Sequence, residues 1–133
     1  MASLPNRPLS PHLQVYRLPL TALLSISHRI TGVLLSLGLL AIPAGLAVAA
    51  WWPERLDALL ALLRTGPAQV VWWAWLYALM FHVCHGIRHL LWDLGFGLER
   101  QGLLTHNILE IAASLALTGG LFLFARLHSL PGG

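Results

Sequence analysis

Histidines, an arginine and a serine are the residues of this sequence whose types and spacing could do chemistry. His82, His85 and His89 recur within eight positions, and at about 100° per residue they fall on one face of a helix. Such imidazoles can ligate a metal ion or carry a proton. Ser25 and Arg29 are four residues apart on another helix, where they would present a hydroxyl and five N–H donors on one side. The pattern predicts a metal or cofactor site beside a site for a carboxylate or carbonyl oxygen.

These polar side chains lie in apolar stretches, where they are costly. On insertion scales an ionisable residue at the centre of a membrane span costs about 2.5–3.5 kcal/mol, so it usually faces a partner, a cofactor or a wet cavity. Antiparallel helices would bring the polar residues to one half of a bundle. The three sets are Ser25, Ser27, His28 and Arg29; His82, His85, Arg88, His89 and Asp93; and His106 and Glu110.

The composition is that of a membrane protein. Of 133 residues, 57% are apolar and 10% are charged, whereas about a quarter are charged in an ordinary globular domain. The mean hydropathy is +0.72. With a net charge of only +3, nothing favours nucleic acid as a partner. Cys84 is the only cysteine, which excludes intrachain disulfides, thiolate zinc clusters and covalent haem attachment.

The elements that must position these residues are helices. We predict an all-α fold in which an extended N-terminal arm, residues 1–20, precedes three transmembrane helices within a single domain, residues 1–133. The spans are expected at about 21–50, 68–92 and 104–124. Pro43 should kink the first span, a short surface helix should follow Trp52, and the glycines between Leu94 and Gly102 indicate a turn.

Other residues have simpler expected roles. The tryptophans that flank the spans are predicted to be interfacial anchors, and glycines within the spans should allow close helix approach. The distribution of arginines favours a cytoplasmic N-terminus, and the first helix is expected to stay in the mature protein because no signal or transit peptide is recognisable. The tryptophans are Trp51, Trp52, Trp72, Trp73 and Trp75; the glycines are Gly32, Gly38, Gly119 and Gly120.

Spacing alone leaves alternatives open. Arg29 could instead pair with Asp93 or Glu110 and merely hold the bundle together. His85 and His89 have the i,i+4 spacing of a zinc site, although no acidic catalytic residue lies between them. No nucleophilic triad or phosphate-binding loop is present, so we expect no catalytic residues and no catalysis by this chain alone.

Two segments carry a family resemblance: RPLSPHLQVYRLPLTALLSISHRITGV, residues 7–33, and HVCHGIRHLLWDLG, residues 82–95. With its R-P-x-S-P-H-L start, S-x-x-H-R-x-[ST]-G signature and H-x-x-x-G-I-R-H-x-x-x-D run, the chain resembles the cytochrome b membrane-anchor subunit of succinate dehydrogenase, the larger of two anchor chains. The resemblance covers nearly the whole chain.

The resemblance implies electron transfer within a multi-subunit enzyme of the tricarboxylic acid cycle and respiratory chain. A flavoprotein subunit with FAD would oxidise succinate, and an iron-sulfur subunit would relay electrons to ubiquinone, which is the substrate where that subunit meets both anchor chains. This chain would hold haem b together with the smaller anchor subunit. The implied location is a bacterial inner membrane.

The resemblance also implies roles for individual residues. His82 matches the axial ligand of the haem iron, and the second axial histidine is expected from the smaller anchor subunit. Ser25 and Arg29 match quinone-binding residues, while His28, Arg29 and His89 are expected near the haem propionates. The tyrosine that donates to quinone is expected on the partner. His85 has no fixed counterpart in the family and competes with His82, and His28 stays open as a second ligand from the same chain.

Two other functions predict different observations. A purely structural anchor would dock a soluble dehydrogenase without binding haem, and its histidines would satisfy one another. A metal-ion carrier would transport metal and bind no haem, but carboxylates are scarce and no internal repeat is present. A visible spectrum distinguishes the haem-binding subunit from both.

Overall fold

The computed structural model describes residues 17–97, 99 and 102–128. Its elements are α1 (Leu20–Leu39), α2 (Ala41–Trp51), a 3₁₀ turn (Pro53–Arg55), α3 (Leu56–Leu63), α4 (Gly66–Asp93) and α5 (Leu103–His128). No strand occurs in these ranges. The all-α prediction is therefore confirmed. Most of the expected N-terminal arm, residues 1–16, lies outside the described residues.

Three helical stretches are long and apolar enough to cross a membrane. They are Leu20–Trp51, Gly66–Asp93 and Leu103–His128, with 32, 28 and 26 residues. A bilayer core of about 30 Å needs roughly 20 helical residues, so each stretch exceeds the minimum. The predicted spans fall within them, and the third helix continues four residues beyond the predicted end at Phe124.

The first span is interrupted where Pro43 predicts a kink. α1 ends at Leu39 and α2 begins at Ala41, so Pro43 is the third residue of the new helix. A proline has no backbone N–H, and its ring clashes with the carbonyl four residues earlier, here that of Leu39. The break at Leu40 is thus a local consequence of Pro43 and lies where the kink is expected.

The two connections follow local sequence signals. The predicted short helix after Trp52 is present as α3, preceded by a 3₁₀ turn that starts at Pro53. After α4, Gly95 and Gly97 adopt φ values of +85° and +73°, a region that disfavours residues with a Cβ atom. The indole Nε1 of Trp92 donates a 3.2 Å hydrogen bond to the Gly97 carbonyl and ties the turn to the helix.

α4 is the central helix of the bundle and packs antiparallel against both α1 and α5. Its His82 contacts His28 of α1 near one end, whereas its Trp75 lies against Gly38 near the other. Toward α5, His85 meets Glu110, and Trp73 meets Phe122 in an edge-on contact of 4.9 Å between ring centroids. The polar ends of the three helices therefore come together, as predicted.

The interior of the bundle is polar where its helices meet. The most buried side chains are Ser114, His85 and Asn107, with 0%, 1% and 2% of their surface exposed, while many leucines face outward. This reverses the pattern of soluble proteins. Lipid solvates apolar side chains well, whereas polar groups in hydrocarbon must find partners inside the protein.

Candidate functional site

Four imidazoles from two helices form a histidine cluster, which comprises His28 of α1 and His82, His85 and His89 of α4. The ring of His28 stacks on that of His82 with 3.9 Å between centroids and lies 4.6 Å and 5.8 Å from the rings of His85 and His89. The predicted face of α4 thus turns toward α1. The helical spacing placed three of these residues together, and helix packing adds the fourth.

His82 is held against α1 by small and polar neighbours. Its Nδ1 lies 3.2 Å from the hydroxyl of Thr31, which itself donates a 2.9 Å hydrogen bond to the His28 carbonyl. A Cβ atom at Gly32 would lie 3.1 Å from Cε1 of His82, so the missing side chain makes room for the ring. Within the described chain Nε2 of His82 makes no hydrogen bond. One nitrogen of this imidazole is therefore engaged and the other is available.

His85, the competing candidate ligand, has both ring nitrogens occupied. Its Nδ1 donates to Oε1 of Glu110 at 2.6 Å, and its Nε2 lies 3.2 Å from Nε2 of His89. With only 1% of its surface exposed, the ring has no open side at which a large flat group could approach. This geometry favours His82 over His85 as a ligand for a cofactor bound at the edge of the bundle.

The position of His28 argues against a second axial bond from the same chain. Two axial imidazoles must point their nitrogens at the iron from opposite faces of the macrocycle. The rings of His28 and His82 instead lie face to face, 3.9 Å apart with planes inclined by 16°. That separation leaves no room for a porphyrin between these two rings.

A smaller metal ion has a different set of candidate donors. One ligating atom each from His28, His85 and His89 lies within 4.8 Å of the other two. Nε2 of His28 is buried without a hydrogen-bond partner, and the carboxylate of Glu110 orients His85 from behind. Carboxylates commonly orient metal-ligating histidines in this way. The donor set is chemically compatible with a metal, while His82 is engaged separately.

A polar network joins the cluster to α5 and back to α1. Arg88 donates from Nη1 to Oε2 of Glu110 at 2.9 Å and also to the Asn107 side-chain oxygen. Asn107 then donates to the hydroxyl of Thr21 at 3.0 Å. The guanidinium carbon of Arg88 lies 4.5 Å from the centre of the Trp92 ring. Glu110 is therefore neutralised within the bundle, and all three long helices are linked.

Arg29 is not the partner of that carboxylate. Of the two acids considered for it, Glu110 pairs with Arg88, and Asp93 is exposed; across the described ranges neither forms an ion pair with Arg29. The guanidinium of Arg29 is exposed and Ser25 is half-buried, with no hydrogen bond between the two. The packing role weighed for Arg29 is thus not observed, which leaves its donors free for a ligand or a partner subunit.

The network of Arg88, Asn107 and Glu110 is the part of the site that sequence analysis missed. Each residue was recognisable as a polar residue in a span, but the pairing among them was not predicted. A signal was present, because His85 and Arg88 are three residues apart on one helix and Asn107 and Glu110 are three apart on another. Residues three apart share one side of a helix, so each pair presents its polar groups together toward a neighbouring span.

The predicted roles of the glycines and tryptophans have different outcomes in the structure. Gly32 and Gly38 allow close approach as predicted, since added Cβ atoms would meet His82 and Trp75. At Gly119 and Gly120 no described atom lies within 4 Å of such a Cβ, so close approach is not observed there among the described residues. The interfacial role of the tryptophans stays a prediction, although Trp75 also stacks on Trp72 at 5.9 Å.

Comparison with known proteins gives a consistent assignment. Residues 3–121 match the family described as Succinate dehydrogenase/Fumarate reductase transmembrane subunit. The chain is 40% identical over 112 residues to the succinate dehydrogenase cytochrome b556 subunit of Paracoccus denitrificans, covering 84% of this chain and 86% of the relative. It is 33% identical over 116 residues to the Rickettsia felis subunit of the same name, with coverages of 85% and 88%.

A mitochondrial relative extends the similarity. The human protein named succinate dehydrogenase cytochrome b560 subunit, mitochondrial, is 36% identical over 121 residues, which span 87% of this chain and 70% of the relative. The family match covers the first two long apolar helices, the third as far as residue 121, and the histidine cluster that joins the first two. The chain therefore belongs to the family of cytochrome b membrane-anchor subunits of succinate dehydrogenase, the enzyme known as respiratory complex II.

Proposed function

We propose that this chain is the membrane-anchor domain that holds haem b through His82 and forms one wall of the ubiquinone-reduction site of succinate dehydrogenase. The observation that carries the proposal is the state of the His82 imidazole. Thr31 engages Nδ1, whereas Nε2 makes no hydrogen bond within the described chain, as an axial ligand requires. The cytochrome b names of the relatives supply the cofactor class.

The residues around His82 fit a haem with two propionates. A bis-imidazole haem has no open coordination position and supplies one-electron transfer. His28 supports the His82 ring from one side, and His89 lies one turn beyond His85 toward the end of α4. We assign His28, Arg29 and His89 to the propionate region, where a guanidinium would offset carboxylate charge more effectively than in water because the dielectric constant is lower.

Ser25 and Arg29 are assigned to ubiquinone. They lie four residues apart on α1. Neither side chain forms a hydrogen bond with any described side chain. A hydroxyl and a cation can bind a quinone carbonyl oxygen and stabilise negative charge as it builds up there. The remaining donor, a tyrosine, is assigned to the partner, so this chain contributes part of the site.

The second axial histidine comes from the smaller anchor subunit in this proposal. The stacked arrangement of His28 and His82 supports that assignment, since the neighbouring imidazole of His28 lies flat against His82 and does not face it across an open space. The iron-sulfur and flavoprotein subunits would dock on the polar side and carry the iron-sulfur clusters and FAD, and succinate oxidation would occur there. We assign that side, with the N-terminus, to the cytoplasm of a bacterium, and the distribution of arginines supports this orientation.

The test is a reduced-minus-oxidised visible spectrum of the detergent-purified complex, compared between the native chain and His82→Ala. The co-purifying subunits are measured in the same samples. Loss of the low-spin b-haem signal with all subunits retained is the expected result. An unchanged signal would reject His82, and the absence of haem from the native complex would favour a purely structural anchor.

The quinone assignment has its own test. Ser25→Ala and Arg29→Lys should reduce electron transfer from succinate to ubiquinone while preserving succinate oxidation by an artificial acceptor. Ser36→Ala is the matched control, because Ser36 lies on the same helix and its hydroxyl bonds only the Gly32 carbonyl at 2.9 Å. Equal losses in both assays would indicate failed assembly and contradict the assignment.

A further inference from the structure

We propose that Thr31 is a positioning residue that fixes the tautomer and orientation of His82 and thereby tunes the reduction potential of the haem. This inference rests on the proposed role of His82 as the axial ligand. It concerns the hydroxyl of Thr31, which lies between the His28 carbonyl and Nδ1 of His82.

The tautomer follows from counting hydrogens. A threonine hydroxyl has one hydrogen and two lone pairs. That hydrogen is directed to the His28 carbonyl oxygen at 2.9 Å. With the hydrogen directed to that carbonyl, the same oxygen acts as an acceptor at 3.2 Å from Nδ1 of His82, and we assign the imidazole proton to Nδ1. A neutral imidazole protonated at Nδ1 has its lone pair on Nε2, which is the nitrogen left for the iron.

The surrounding residues make this hydrogen bond specific. Gly32 allows the edge of the His82 ring to approach α1, where a Cβ atom would lie 3.1 Å from Cε1. The His28 ring covers one face of His82 and limits tilting. Three residues within a five-residue stretch of α1 thus define the position of a single imidazole on α4. Thr31 is the one among them that contacts a ring nitrogen.

A hydrogen bond at Nδ1, the ring nitrogen that is not assigned to the iron, affects the iron electronically. Donation from Nδ1–H increases the basicity of the ligating nitrogen, and a more basic ligand stabilises ferric over ferrous iron. Removing the acceptor should therefore raise the midpoint potential of the haem. If Thr31 only filled space, its replacement by the isosteric valine would leave the midpoint potential unchanged.

The experiment uses Thr31→Val and Thr31→Ser in the complete purified complex. Valine keeps the shape of threonine and removes the acceptor, while serine retains it. Thr118→Val is the matched control, because the Thr118 hydroxyl also bonds a backbone carbonyl in its own helix, that of Ser114 at 2.8 Å, but it contacts no histidine. The readouts are a redox titration of haem absorbance and the low-temperature EPR spectrum of the ferric haem.

We expect Thr31→Val to raise the midpoint potential and shift the EPR signal, with Thr31→Ser and Thr118→Val close to the native complex. If Thr31→Val loses haem, restoration by serine supports the proposal, and failure of serine to restore it overturns the proposal. Native potential and EPR signal in Thr31→Val also overturn it. The outcome of His82→Ala is separate: retained haem there rejects the ligand itself, whereas lost haem with a silent Thr31→Val rejects only the role of Thr31.

Discussion

The imidazole of His28 lies flat against that of His82, with 3.9 Å between ring centroids and 16° between their planes. A side chain of α1 thus forms a platform for a side chain of α4. His28 thus has two roles: its ring supports His82, and it is also proposed to contact a haem propionate. Separating these two roles requires a substitution that keeps the aromatic face and removes the nitrogens.

Comparing His28→Phe with His28→Ala separates them. Both variants lose any propionate contact, but phenylalanine keeps a flat ring against His82. We expect haem per flavin to fall more in His28→Ala than in His28→Phe, since aromatic pairs contribute about 0.5–1.5 kcal/mol beyond burial. Pyridine haemochrome and flavin assays of the purified complex measure the ratio. Equal haem loss in the two variants would mean that stacking does not support the ligand.

Gly32 gives a second prediction about the same imidazole. Gly32→Ala would place a Cβ atom 3.1 Å from Cε1 of His82, so the ring must move by a few tenths of an ångström. We expect a shifted ferric EPR signal and a lower haem content. Gly45→Ala is the control, because no atom lies within 4 Å of a Cβ there. A native spectrum in Gly32→Ala would show that the ring tolerates the methyl group.

The ion pair of Glu110 and Arg88 predicts a non-additive effect on stability. Both side chains are at least 91% buried. Glu110→Met leaves the Arg88 charge without its partner, which should cost about 3–5 kcal/mol, whereas the double substitution to methionine removes both charges and should cost less. Thermal denaturation of the complex in detergent measures the order.

Glu54→Gln is the control for that series, since Glu54 is an exposed acid in the 3₁₀ turn before α3. We expect the Glu54→Gln complex to denature at the same temperature as the native complex. A double variant that is less stable than Glu110→Met would contradict the prediction. In that case the contacts of Arg88 with Asn107 and Trp92 would matter more than the neutralisation of charge.

The fold and the polar half of the bundle could be predicted from sequence because both depend on periodicity within single helices. Apolar runs longer than a bilayer predict the spans, Pro43 predicts the break, and a rotation of about 100° per residue predicts the shared face of His82, His85 and His89. Each of these signals is local. None requires knowledge of which residues of two helices lie at the same height.

Contacts between helices were harder to predict for that reason. The partner of Glu110 depends on the rotation and height of α5 against α4. The sequence suggested Arg29 as that partner, whereas the structure shows Arg88. Thr31 is a polar residue of ordinary helical type, and only the approach of α4 gives it a histidine contact. At Gly119 and Gly120 no atom of the described ranges lies within 4 Å of an added Cβ, so packing among those residues does not explain these glycines.

The remaining prediction distinguishes the two histidines that compete for the haem. His85→Ala should retain the low-spin b-haem spectrum, because both nitrogens of His85 are already engaged by Glu110 and His89. It should nevertheless lower the thermal stability of the complex by about 1–3 kcal/mol, since the buried Glu110 carboxylate loses a hydrogen-bond donor. His85→Asn restores an N–H donor toward Glu110 and should recover part of that loss. The measurements are visible spectra and denaturation curves of the two variants and of His82→Ala. If His85→Ala loses haem and His82→Ala retains it, His85 is the ligand. The role assigned to Thr31 would then be rejected as well.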